Sequence, residues 1–238
     1  MEYGPVKKIS VLLVDDHELV REGIAMLLAD AGDMHVVAQL ASGEDALEYV
    51  SRDPSSSHAL PDVVLMDARM PGLGGIEATR SILEQCPGCK IVAMSSVAAG
   101  VIPTQMLRSG AMAFITKSVG VAEMLNAIRV VMNGERYVTP SVAKHLAVDP
   151  FADGDSLFDK LSRRELQIAQ MLTDGKKVSQ ISTYLELSPK TVYSYRYRIF
   201  EKLGVSSDVE LILLAVQYGL ADDSREFDSL PRLKSVQS

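Results

Sequence analysis

Residues 9–16, ISVLLVDD, decide the architecture. The first six are apolar apart from Ser10 and rich in β-branched side chains, a short run that suits a buried strand. The run stops at two adjacent carboxylates, Asp15 and Asp16. Four further runs of the same kind follow: residues 35–40 (HVVAQL), 63–66 (VVLM), 91–94 (IVAM) and 113–115 (AFI). The segments between them carry helical spacing. Leu19, Gly23, Met26 and Leu27 share a face; so do Ala46, Leu47 and Val50; Ile76, Thr79 and Leu83; and Val121, Leu125, Ile128 and Met132. Ser42 has the character of an N-cap, with Asp45 three residues on. Five short strands alternating with helices predict an α/β domain with a doubly wound, flavodoxin-like parallel sheet of five strands. Ligands of such sheets bind beyond the carboxyl ends of the strands.

The chemistry-bearing residues stand at those ends. Asp15 and Asp16 follow the first strand, Asp67 the third, Ser95 the fourth and Lys117 the fifth. Any one acid there is an ordinary solvated strand-end residue. Together they form a set of three hard oxygen donors, a hydroxyl and an ammonium around one crevice. That set suits Mg²⁺ and a phosphoryl group, with a carboxylate as the nucleophile.

The chain has 238 residues, enough for two domains. With 47% hydrophobic and 23% charged residues it is neither collagenous, mucin-like nor wholly disordered. The apolar runs fall far short of the ~20 residues that span a bilayer. Residues 1–10 show no secretory signal. A cytoplasmic protein without a membrane partner is expected. The net charge of -7 is unevenly spread. Residues 1–134 carry -6 and residues 157–220 carry +2. The expected organisation is a first domain at 1–134, a linker at 135–156 rich in breakers, a second domain at 157–221 and a frayed tail at 222–238. Residues 51–61 read as a surface loop.

The second domain carries helical patterns alone. Ser162 and Glu165 form a capping box, and Gly175 ends that helix. A short helix is expected at 178–187. The next is framed by Ser188 as N-cap, Pro189 at its first position and Gly204 as its stop. The last runs over 207–218. Two helices joined by a tight turn read as helix-turn-helix. On the third, Val192, Ile199 and Leu203 point to a core, and Tyr195 is expected to pack inward. An exposed face bearing hydroxyls and cations fits a DNA major groove. Tyr193, Ser194 and Tyr197 are assigned to base edges. Lys177, Lys190, Thr191, Arg196 and Arg198 are assigned mainly to phosphates.

The stretches VLLVDDHELVREGI, DVVLMDARMPGLGGIEATR, IVAMS and GAMAFITK resemble a two-component receiver domain over residues 8–133. The resemblance implies Asp67 as phospho-acceptor and Asp15, Asp16 and Asp67 around Mg²⁺, with the Arg69 carbonyl as a further ligand. It implies Lys117 on a phosphoryl oxygen, and Ser95 and Phe114 as a coupled switch. Ser118 replaces the proline that often follows the lysine, and Ala113 stands where many relatives have glycine. Residues 161–220 resemble the DNA-binding domain of the LuxR/NarL/FixJ response regulators, most of all the GacA/UvrY/SirA type. Implied partners are a GacS/BarA-like sensor histidine kinase, double-stranded promoter DNA and a second copy when active. The implied targets are genes for small regulatory RNAs. Phosphorylation is expected to shift inter-domain contacts and free residues 190–203 for DNA.

A transcription regulator rather than an enzyme is therefore expected. The alternative is a phosphohydrolase with an aspartyl nucleophile, which explains the crevice but not residues 161–220. Cys86-Pro87-Gly88-Cys89 is read as a proline-glycine turn, because no second ligand pair exists to complete a zinc site and the motif follows a helix instead of a strand; a redox role is the alternative.

Overall fold

The computed structural model describes residues 8–52, 60–148, 157–218 and 220–221. Strands β1 (Ile9–Val14), β2 (Met34–Leu40), β3 (Val63–Asp67), β4 (Lys90–Ser95), β5 (Ala113–Thr116) and β6 (Tyr137–Val138) form one parallel sheet. Their order is β2-β1-β3-β4-β5-β6. The order reverses between β1 and β3, and the ends of those strands open the crevice in which a doubly wound sheet binds ligands. Helices α1 (Glu18–Asp30) and α5 (Val121–Met132) cover one face. Helices α2 (Gly43–Ser51), α3 (Gly74–Gln85) and α4 (Val101–Arg108) cover the other. Both faces are thus sealed, which is why Val11–Val14 and Val63–Met66 are wholly buried and read as continuous apolar runs.

Two expectations need correction. The sheet has six strands, not five. Tyr137 donates its N–H to Met112 O at 3.0 Å and Thr139 to Phe114 O at 3.2 Å, which extends the sheet into the stretch expected as linker. Helix α6 (Pro140–Val148) follows, with Val142 fully buried. A two-residue strand is too short to show a period. The second correction concerns α1. Its apolar stripe Leu19, Gly23, Met26 and Leu27 faces solvent, Leu19 being 82% and Met26 70% exposed. The face against the sheet is Ile24, Ala25 and Leu28 instead. Both stripes have helical spacing, so periodicity could not choose between them.

Residues 53–59, most of the expected surface loop, lie outside the described residues, as do 149–156 and the tail from 222. A 3₁₀ turn (Leu157–Lys160) opens the second domain, followed by α7 (Arg163–Thr173), α8 (Val178–Tyr184), α9 (Pro189–Leu203) and α10 (Asp208–Gln217). Local chemistry sets each start. Ser162 Oγ accepts from Glu165 N–H while Glu165 returns the bond, closing the expected capping box. Ser188 Oγ accepts from Thr191 N–H and Ser207 Oγ from Glu210 N–H, capping α9 and α10. Gly204 ends α9 in the left-handed conformation, at φ 70°. Lys202 Nζ lies 2.6 Å from Glu165 and ties α9 to α7. Burial alone would raise the Glu165 pKa, but the bonds from Lys202 and Ser162 outweigh it and leave it lowered.

The two domains are docked. Arg163 at the start of α7 grips Glu77 on α3, with Nη2–Oε1 2.7 Å and Nε–Oε2 3.2 Å. Arg108 on α4 reaches Asp159 at 2.8 Å, and the Gln105 amide bonds the same carboxylate. Val101 N–H donates to Tyr218 O at 2.8 Å. Tyr184 at the end of α8 lies over Gly72, where an added Cβ would come within 2.5 Å of its hydroxyl. No helix among the described residues is long and apolar enough to cross a membrane.

Candidate functional site

The strand ends bring the predicted acidic set together. Register pairs Val14 with Met66 and Asp67 with Met94, so the residues just beyond β1 and at the end of β3 share one rim. Lys117 Nζ lies 2.6 Å from Asp15 Oδ2 and 2.7 Å from Asp67 Oδ2. Arg69 N–H donates to Asp67 Oδ1 at 3.0 Å. His17 Nδ1 sits 2.8 Å from Asp16 Oδ1. Asp15 is fully buried and Asp67 nearly so.

Burial drives the electrostatics here. Desolvation pushes the Asp67 pKa up to about 6, against the pull of Lys117. Burial alone would lower the Lys117 pKa; Asp67 and Asp15 outweigh it and leave it raised. Three acids and one lysine leave negative charge uncompensated. Asp16 Oδ1 is buried and accepts no hydrogen bond, its neighbour being the exposed His17 ring. Ligand atoms of Asp15, Asp16, His17 and Asp67 lie within 4.8 Å of one another. An oxygen-rich cluster with an unsatisfied buried oxygen fits a hard divalent cation.

The pocket is about 240 Å³, lined by Asp16, His17, Asp67, Arg69 and Lys117 among others. Ser95 stands behind the wall. It is buried, and its Oγ accepts from Val97 N–H at 3.2 Å. Ser96 lines the pocket in its place. Phe114 is wholly buried and packs with the core on the α2–α4 side of the sheet. No cis peptide occurs among the described residues, including the Lys117–Ser118 bond. Four lining residues come from the second domain: Gln170 and Asp174 at the end of α7, with Leu220 and Ala221. Nothing in their local sequence marked them, since only docking brings them there. Cys86 and Cys89, expected as a plain turn, are joined by a disulfide. It lies at the amino end of β4, away from the pocket.

The second constellation lies on α9. Val192, Ile199 and Leu203 are buried, and Tyr195 is half-buried against the core. Lys190, Tyr193, Ser194, Tyr197 and Arg198 are exposed, with Tyr197 at 71%. Thr191 shares a hydrogen bond with Ser188 at the helix start. Lys177 begins α8 and lines a depression with Tyr193. Arg196 is turned aside. Asp208 at the start of α10 holds its guanidinium by two bonds of 2.8 and 2.7 Å, over the Phe200 ring. The docked receiver does not cover this face, contrary to the expectation that residues 190–203 need freeing. Docking uses α7, the tip of α8 and the end of α10 instead.

A parallel-sheet domain with an acidic switch-point pocket, joined to a four-helix domain with an open helix face, defines the response-regulator class. Residues 11–129 match the family described as "Response regulator receiver domain". Residues 159–215 match "Bacterial regulatory proteins, luxR family". The chain is 50% identical over 218 residues to "Response regulator GacA" of Pseudomonas viridiflava, covering 91% of this chain and 99% of that one. It is 43% identical to "Response regulator UvrY" of Escherichia coli K12, over 90% of this chain and 96% of that one. The chain belongs to the response regulators with a luxR-type regulatory domain, and is a phosphorylation-controlled transcription regulator. Its fold is also that of the RcsB response regulator of Salmonella typhimurium, with a TM-score of 0.69 at 20% identity, covering 89% of this chain and 98% of that one.

Proposed function

We propose that Asp67 accepts a phosphoryl group from a sensor histidine kinase of the GacS/BarA type and thereby controls promoter binding by α9. The observation that carries this is the Asp67–Lys117–Asp15 contact set at the end of β3. Asp67 is the nucleophile, its carboxylate held in place by Arg69 N–H. Lys117 neutralises charge that develops on the phosphoryl oxygens. Asp15, Asp16 and Asp67 would hold Mg²⁺, which supplies further charge neutralisation. Ser95 and Phe114 lie on adjoining strands and relay occupancy of the pocket to the α4 face.

On DNA, Tyr193, Ser194 and Tyr197 read base edges, while Lys177, Lys190, Thr191 and Arg198 contact phosphates. Arg196 supports α9 from behind through Asp208. A dimer on paired half-sites follows from symmetry. The likeness to GacA and UvrY supports small regulatory RNA genes as targets and a cytoplasmic protein. Intact-mass measurement after treatment with acetyl phosphate and Mg²⁺ tests the acceptor. One phosphate is expected on the native chain and none on Asp67→Asn; label on that variant at the native level overturns the assignment. Genome-wide footprinting with and without acetyl phosphate tests the targets.

A further inference from the structure

Phosphoryl transfer and DNA reading leave the Cys86-Pro87-Gly88-Cys89 motif unused, and the structure closes it with a disulfide. Cys86 caps the carboxyl end of α3, its N–H donating to Ile82 O at 2.7 Å. Cys89 N–H donates to Cys86 O at 3.1 Å, so a hydrogen bond already closes the turn that the disulfide spans. A crosslink between residues three apart removes little chain entropy, because that stabilisation grows with the loop closed. As a staple the bond is poorly placed. As a redox pair it is well placed. Pro87 and Gly88 form an exposed tip with a buried cysteine on either side. Cys89 Sγ lies 3.3 Å from Pro61 O. In the disulfide that sulfur carries no hydrogen; as a thiol it donates to the carbonyl. The seat therefore fits the reduced state as well as the oxidised one. A cytoplasmic pool of glutathione is a reducing setting, in which the disulfides that do form are characteristically transient or redox-sensing.

We propose that Cys86 and Cys89 form a reversible dithiol–disulfide site that exchanges with glutathione, and that its oxidation locks the carboxyl end of α3 onto the entry of β4. In the reducing direction a glutathione thiolate attacks Cys86 Sγ, the more exposed of the two at 6% against 3%. The S–S bond breaks with its electron pair going to Cys89 Sγ, which takes a proton from solvent and donates it to Pro61 O. A second glutathione thiolate attacks the mixed disulfide on Cys86 and leaves as glutathione disulfide; Cys86 takes the second proton. Two glutathione thiols are oxidised and one protein disulfide is reduced. Oxidation by glutathione disulfide is the reverse. A catalytic pair of this spacing gains its reactive thiolate at a helix amino end, whereas Cys86 sits at a carboxyl end, where the dipole disfavours a thiolate. Exchange is thus slow, and the pair records the redox state instead of catalysing it. What it controls is one corner of the sheet. Gln85, the last residue of α3, accepts from Ser51 Oγ at the end of α2. Lys90 N–H donates to Asp62 O at 3.0 Å, and the Asp62 carboxylate accepts from Ser10 N–H and Oγ at 2.9 and 2.7 Å. This corner is at the amino ends of the strands, opposite Asp67, so its chemistry is independent of the acceptor.

The test equilibrates the folded full chain in glutathione buffers of graded reduced-to-oxidised ratio and traps free thiols with N-ethylmaleimide. The chain has two cysteines, so intact mass reads the pair directly. Two maleimides are expected in excess reduced glutathione and none in excess glutathione disulfide, with return on reversing the buffer. Cys89→Ser in glutathione disulfide should retain one glutathione, on Cys86. Hydrogen exchange of the Cys86 and Cys89 amides should be about tenfold faster in the reduced chain, while exchange in β1 stays the same. A folded chain that takes maleimide only in urea holds a buried crosslink and overturns the proposal. So does a chain that takes two maleimides at every ratio. Equal amide exchange in the two states overturns the lock at the end of α3.

Discussion

The acidic pocket and the outer face of α9 are both built from polar side chains, yet they are held in opposite ways. In the pocket, Asp15 and Asp67 are buried and the half-buried Lys117 is locked onto both, at 2.6 and 2.7 Å. On α9, Tyr193 and Tyr197 stand in solvent. Burial makes the pocket electrostatically strong, because desolvated charges interact at low dielectric. Exposure makes the α9 face adaptable: its partner supplies the desolvation on binding. One region is therefore a site in which single charges decide an outcome. The other is a surface across which contributions are spread.

The largest break in that contrast should come from the metal-binding acids. Excess chelator should abolish labelling of Asp67. Asp16→Ala should weaken Mg²⁺ binding by more than about tenfold, since even outer partners of a metal site are worth that much. Undiminished labelling in chelator would remove the cation from the mechanism.

Next comes pH. The folded Asp67 pKa of about 6 lies above its ordinary 3.8. In metal-free protein the folded state therefore binds more protons between those values, and its stability falls as pH rises from about 4 to 6, by about 3 kcal/mol. Asp67→Asn lacks this loss. Urea unfolding of both proteins in chelator should show the variant gaining on the native chain across that window and a constant gap above it. A gap independent of pH would contradict the burial argument.

Smaller effects are expected on α9. Tyr197→Ala should reduce discrimination between specific and scrambled duplexes by about 1–3 kcal/mol at fixed salt. Smallest of all, Lys190→Ala should weaken binding to both duplexes alike and flatten the salt slope by about one unit. Competition titrations separate the two. If Lys190→Ala alters discrimination while Tyr197→Ala lowers both affinities equally, the roles on α9 are reversed.

Much of this was legible in the residues themselves. Each sheet-forming run of the first domain except β6 shows as an apolar stretch, and the acids and lysine follow directly at strand ends. Caps at Ser162, Ser188 and Ser207 mark helix starts, because a side chain that satisfies free backbone N–H groups must sit at the end it caps. Arg196 was not legible. Its spacing placed it beside the reading face, but Asp208, on another helix, claims its guanidinium. Ser95 was placed at the pocket by its strand position, while the structure turns its hydroxyl to Val97 N–H and gives the wall to Ser96.

The sequence by itself determined the local elements, the two-domain order and the convergence of Asp15, Asp16, Asp67 and Lys117. These follow from periodicity, capping chemistry and the geometry of a parallel sheet, all of which act over a few residues or through one repeating lattice. Only the tertiary structure decided which stripe of α1 turns to the core, that Tyr137–Val138 joins the sheet and that Asp174 walls the pocket of Asp67. Each of those outcomes is a choice between surfaces far apart in the chain. It is settled by which pairing buries more apolar area and satisfies more charges, and no local pattern records that competition.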